Sequence, residues 1–230
     1  ELKQNYKQMA SAVTTTLVLR EREQPRSTFI HVRGDFLHPG AAVSPAVPAA
    51  LPDWTPRSAR PDRLDFANWL VTPDHPLTAR VTVNRIWQAY FGQGLVATEN
   101  DFGQQGDRPT HPELLDWLAN EWVAGGWSLK ALHRTIVTSA TYRQSSRARP
   151  ELEERDPRNL LLARQNRFRP EAEIVRDLYL AASGLLSPKV GGPSIRPPLP
   201  SDIAALGYAG SVKWQETTGP DRYGRGMYIF

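Results

Sequence analysis

The run Pro76-Leu-Thr-Ala-Arg-Val-Thr-Val-Asn-Arg-Ile-Trp-Gln-Ala-Tyr-Phe-Gly92 decides the fold. Val83, Ile86, Trp87, Tyr90 and Phe91 follow the spacing of a single helix face, while Arg80, Asn84, Arg85 and Gln88 occupy the remaining sides. Gly92 and Gly94 stop the helix. The connector Glu99 to Glu113 then holds four acids, two glycines, a histidine and an arginine. These are more polar groups than a packed core requires.

Downstream, Thr110-His-Pro-Glu113 matches a capping box, with Thr110 as N-cap. The helix it predicts carries Leu114, Leu115, Trp117, Leu118, Trp122 and Val123 and ends at Gly125-Gly126. Ser128 caps the next predicted helix, Leu129 to Tyr142, with a stripe of Leu129, Leu132, His133, Ile136, Val137 and Ala140. A charged, exposed stretch and a short helix over Arg158 to Arg164 come next. Pro170 to Gly184 then turns Ile174, Val175, Leu178, Ala182 and Leu185 inward. From Ser187 onward the chain is rich in proline and glycine, and no element is assigned.

Upstream, Asp62 to Val71 reads as a helix with Leu64, Ala67, Leu70 and Val71 on one face. Six prolines between Pro39 and Pro61 keep that segment extended. It is either a flexible linker or a strap, and Val43, Val47, Leu51 and Trp54 favour a strap. Val13 to Arg20 and Thr28 to Arg33 are rich in β-branched residues and read as a hairpin or strand pair. Glu1 to Ala10 has a short helical pattern. The expected fold is mainly α, a compact multi-helix domain with a small N-terminal strand pair and a Pro-rich strap. The expected divisions are 1–61, a helical body over 62–186, and a Pro/Gly-rich extension over 187–230.

Composition narrows the function classes. The chain has 230 residues, is 40% hydrophobic and holds seven tryptophans, which suits a globular protein with one good core. No apolar run reaches the length of a membrane-spanning helix. Net charge is +4, and arginine supplies 23 of the 28 basic residues. That bias fits either bidentate pairing with carboxylates or a GC-rich coding sequence. Zero cysteines exclude disulfides, thiolate metal sites, cysteine nucleophiles and covalent c-type haem on this chain. Both ends read as cut, so the chain is expected to be a segment of a longer polypeptide.

Several strings resemble a known family: Val32-Arg-Gly-Asp35, Leu77 to Trp87, Asp101-Phe-Gly103, Pro109 to Leu118, Gly126 to His133, Ile136 to Gln144 and Gly184 to Pro193. Together they look like the planctomycete-type C-terminal domain of unknown function, the PSD domain. Its parent multidomain proteins carry a cytochrome-c module. The resemblance covers nearly the whole chain. It implies an exported protein, periplasmic or at the cell surface, in a redox setting. Haem is expected only on the neighbouring module, with no cofactor or metal in this chain. The implied partners are other domains of the same polypeptide. The resemblance implies no reaction.

The candidate polar residues are Arg33, Asp35, Asn84, Arg85, Asp101, His111 and Arg143. His31, Arg33 and Asp35 would share one strand face, to hold an anion, act as acid and base, or anchor the strand through salt bridges. Arg80, Asn84 and Gln88 form a row along one helix edge. With Arg85 adjacent, the row would recognise a carboxylate, sulfate or sugar hydroxyls; in the favoured reading Asn84 and Arg85 bond to neighbouring loop carbonyls and fix the Asp101 connector. Glu99, Asp101, Asp107 and His111 would serve as glycosidase carboxylates or calcium ligands, against an Asx-type turn at Asp101. His133 reads as a core histidine bonded to a carbonyl. His38 and His75 precede prolines and show no spaced partner. No HExxH, GxSxG, P-loop or dinucleotide fingerprint occurs. Between Arg143 and Arg176 nine arginines face six acids with few aromatics, so nucleic-acid binding is not expected.

The leading expectation is a domain that docks a partner module or polymeric substrate. The alternative is a carbohydrate-active enzyme with Asp35, Asp101 or His111 as acid and base and Arg85 or Arg143 orienting an anionic group. Convergence of those side chains in one pocket separates the two.

Overall fold

The computed structural model describes residues 3–4, 16–204 and 214–230. The protein is mainly helical, with a two-stranded antiparallel sheet near the amino terminus. Its residues group into two units. One runs to Gln144 and includes Arg149–Ala163; the other comprises Ser145–Ala148 and Arg164–Phe230.

In the first unit, β1 (Thr28–His31) pairs with β2 (Pro39–Val43), in the register Thr28↔Val43 and His31↔Pro39. This corrects the expected pairing. Val13 to Thr15 lie outside the described residues, and Thr16 to Arg20 form no strand. Carbonyls of this stretch and of the linker after it are bonded to arginines. Arg63 donates to Leu19 O (2.9 Å), and Arg60 donates to Glu23 O (2.6 Å) and to Arg22 O. Arg33 (φ 53°) and Gly34 (φ 79°) adopt left-handed backbone in a 3-10 turn, Val32–Gly34, and reverse the chain.

Helix α1 (Arg63–Leu70) begins at a true capping box, in which Asp62 and Asp65 exchange bonds with each other's backbone N–H. Its inward residues are Asp65 and Trp69. Leu64 and Val71 are half-exposed, which reverses the expected face. The strap accounts for this. Arg57 donates to Asp65 Oδ1 through Nε (2.7 Å) and its backbone N–H (3.0 Å), and the Trp69 indole N–H donates to Pro52 O (2.8 Å). So the strap packs on the helical body as expected. Its first residues, Pro39–Val43, are strand rather than strap.

The core lies among α2 (Thr78–Phe91), α3 (Pro112–Ala124) and α4 (Leu129–Thr138). Val83, Trp87, Phe91, Leu95, Val96, Leu115, Leu118, Trp122, Leu132 and Ile136 are buried there. Trp87 stacks on Phe91 with centroids 4.1 Å apart, and Phe91 meets Tyr142 edge-on at 5.9 Å. Burying each such side chain stabilises by about 1.5–3 kcal/mol. Gly92 caps α2 with φ 77°.

Two helix ends differ from expectation. The N-cap of α3 is His111, because Thr110 is spent on Leu95, its N–H (2.8 Å) and hydroxyl (3.3 Å) both donating to Leu95 O. Pro112 then opens the helix, where a missing N–H costs nothing. The helix expected over Leu129 to Tyr142 is broken at Ser139 (ψ 152°), whose hydroxyl accepts from Tyr142 N–H and starts α5 (Ala140–Arg143). Ser128 caps Ala131 as expected.

The stretch read as exposed and charged contains helix α6 (Pro150–Arg155). Arg158 to Arg164 forms turns rather than a helix, since the buried Asp156 carboxylate takes the N–H groups of Leu160 (2.7 Å) and Leu161 (2.8 Å). In the second unit, α7 (Ala172–Ala182) buries none of its residues; Ile174 and Leu178 are exposed. Its ties are polar. Arg176 donates to the carbonyls of Arg222 and Gly224, each at 2.8 Å, and Asp177 accepts from Gly226 N–H. The helix therefore groups with residues 220–228 rather than with the body that ends at Ala163.

Candidate functional site

Among the described residues no hydrogen bond or ion pair joins any two of the seven candidate side chains. Arg33 sits in the left-handed turn after β1, so it does not share a strand face with His31. Asp35 accepts from Leu37 N–H (2.9 Å) and bonds His38 Nδ1 (2.7 Å), and these contacts hold its carboxyl below the usual range. His38 thus has a partner that its sequence position did not reveal. His75 Nδ1 likewise faces the N–H groups of Leu77 (3.3 Å) and Thr78 (3.2 Å), at the start of α2.

Asn84, Arg85 and Asp101 do meet the same connector, as its scaffold. Asn84 is fully buried; its Oδ1 accepts from Val96 N–H (2.8 Å) and its Nδ2 donates to Val96 O (3.0 Å). Both backbone groups of a buried residue are thereby satisfied by one amide. Gly94 leaves room for this: a Cβ there would come within 2.6 Å of Asn84 Nδ2 and Val96 O. Arg85 donates to Asn100 Oδ1 (3.2 Å). Asp101 Oδ1 accepts from Gly103 N–H (2.8 Å), the expected Asx turn, and Thr98 braces the same loop through the Asp101 carbonyl. Arg80, in the same helix row, donates to Asp116 (2.6 Å) and holds that carboxyl below its usual range.

His111 touches Thr110 Oγ1 (3.1 Å) at the start of α3, and Arg143 is exposed at the end of α5. His133 bonds the Tyr90 hydroxyl (2.9 Å) rather than a carbonyl, while burial raises the Tyr90 pKa. Among the described residues no three His, Asp or Glu side chains gather as a metal site. Asp35, Asp101 and His111, the candidate acids and bases, each make a local bond, to Leu37 and His38, to Gly103 and to Thr110.

What remains unspent is the hairpin. Every residue of β1 and β2 is exposed, and Phe29, Ile30, Val32, Phe36, Leu37 and Val43 present 41–75% of their surface to water. Among the described residues each strand has only one neighbour, which leaves an outer edge of backbone donors and acceptors open. A two-stranded hairpin is marginal by itself in water. Sequence reading missed the β2 half because Pro39-Gly40 and Ala41-Ala42 carry no strand signature, although Gly34 marks the turn before it.

Comparison with curated proteins and with solved structures gave no match. A family model, described as a protein of unknown function (DUF1553), matches residues 62–230, so the hairpin and strap lie upstream of the matched region. By that match, the chain belongs to the PSD1 family.

Proposed function

We propose that this chain is a non-catalytic docking domain, and that the β1–β2 hairpin receives another module of the same polypeptide by strand addition and apolar contact. The observation that carries this reading is a strand pair exposed on both faces with its outer edges open. Main-chain pairing would supply affinity and the Phe29, Ile30, Phe36 and Leu37 side chains specificity. The setting that fits is the periplasm or cell surface beside a cytochrome-c module. Haem would sit on that neighbour, since thioether attachment needs cysteines that this sequence lacks. The helical body would act as a rigid mount.

The test is co-purification and calorimetry of residues 1–230 with the remaining modules of the parent polypeptide. Ile30→Glu and Phe36→Ser together should abolish measurable association while the helical circular dichroism stays unchanged. Association that survives both substitutions contradicts hairpin docking.

A further inference from the structure

The carboxy-terminal unit lines a half-open cavity of about 150 Å³ that owes nothing to the hairpin. Sequence reading assigned no element to this tail, yet backbone bonds define its walls. Ser187 N–H donates to Tyr223 O (3.0 Å), Ile195 N–H to Tyr228 O (2.8 Å), Phe230 N–H to Ile195 O (3.0 Å) and Arg196 N–H to Thr217 Oγ1 (2.9 Å). Gly191 (φ 79°) and Gly192 (φ 102°) turn the chain in backbone that other residues rarely adopt. Gly224 keeps the opposite wall thin, because a Cβ there would stand 3.2 Å from Ile195 Cδ1.

The lining determines which ligand fits. Ser187, Ser194, Thr217 and Tyr228 contribute hydroxyls, and Ile195 and Pro193 an apolar patch. Tyr228 Oη accepts from Gly191 N–H (2.8 Å), which leaves the phenolic proton to donate elsewhere. Lys189 Nζ and Asp221 Oδ1 stand 3.3 Å apart, both well exposed. An exposed pair of this kind contributes little to folding. Its charges sum to zero, so an anion meets Asp221 and a cation meets Lys189 at unfavourable sign. A neutral hydroxyl suits both at once, accepting from the ammonium and donating to the carboxylate. The apolar patch suits the C–H face of a ring.

We infer that this cavity binds a neutral, hydroxyl-rich ring, a single uncharged sugar residue at the end of a glycan. The inference stands apart from hairpin docking and can fail without it. The probes are methyl glycosides of glucose, galactose and mannose, with glucuronate and glucosamine as charged comparators. They are read by saturation-transfer NMR on the 1–230 chain.

At least one neutral glycoside should bind with millimolar affinity and more tightly than either charged sugar. Lys189→Gln with Asp221→Asn should weaken it about tenfold, with the melting curve unchanged. Ser194→Val, which replaces a lining hydroxyl with a methyl and adds a second methyl, should weaken it as well. Silence from every neutral glycoside with the folded chain overturns the proposal. So does tighter binding of a charged sugar, or affinity untouched by these substitutions.

Discussion

In α2 the side chains of Val83, Trp87 and Phe91 are almost wholly withdrawn from water, whereas every residue of β1 and β2 is exposed. Both segments are rich in large apolar residues, so composition does not explain the difference. Neighbours do. The face of α2 meets α3 and the Leu95-Val96 turn, and its polar Asn84 is consumed in fixing that turn. The hairpin meets water on both faces. One region spends its apolar surface on folding, and the other keeps it for an encounter.

The largest expected effect belongs to the helical side. Trp87→Ala should cost about 3–5 kcal/mol in denaturant titrations, by removing the ring that stacks on Phe91. A loss below about 1 kcal/mol would place the core elsewhere. Next is Asn84→Leu, expected to cost about 3 kcal/mol because the Val96 N–H and carbonyl both lose their partner in a buried turn. Arg85→Ala, one position on, removes only the exposed contact to Asn100 and should stay within about 0.5 kcal/mol. Comparable losses for the two would erase the distinction between buried joint and surface contact.

The strap stands between the extremes. Trp69→Phe keeps an aromatic group but shrinks the buried indole to a phenyl and removes its bond to Pro52 O, and should cost about 2 kcal/mol. Asp65 offers a titration test of the same joint. The Arg57 side chain, then the backbone N–H groups of Asp62 and Arg57, hold its pKa at about 2 against an ordinary 3.8. The folded state therefore binds this proton less readily than the unfolded state. The stability it contributes is complete above 3.8 and disappears as pH falls from 3.8 toward about 2. Melting temperature should drop through that window, and Arg57→Gln should flatten the drop. An unchanged slope in that variant would deny the strap its role. The smallest effect is expected at the hairpin, where Phe36→Ser should alter stability by no more than about 0.5 kcal/mol.

Legibility followed the same division. The core helices were readable because large apolar residues recur at helical spacing and Gly92 ends the run. The Asx turn at Asp101 and the bracing role of Asn84 and Arg85 were readable from residue type. Asp65 was not, since an inward acid makes sense only beside Arg57, eight residues away and in an irregular strap. The capping box at Thr110 misled because a hydroxyl that can cap a helix can also bond Leu95 O. The strand pairing misled because β propensity near Val18 says nothing about Arg63, more than forty residues on, bonding the Leu19 carbonyl. The inward face assigned to α7 failed for a related reason: Arg176 and Asp177 make its contacts, and no periodicity of Leu and Ile announces that.

Native-state hydrogen exchange on the 1–230 chain tests the contrast most directly. Amides of α2 around Trp87 and Phe91 should exchange only through global unfolding, while those of β1 and β2 should exchange nearly as fast as in an unfolded peptide, slowing when the docking module is added. Hairpin amides as slow as those of α2 in the chain alone would contradict the account.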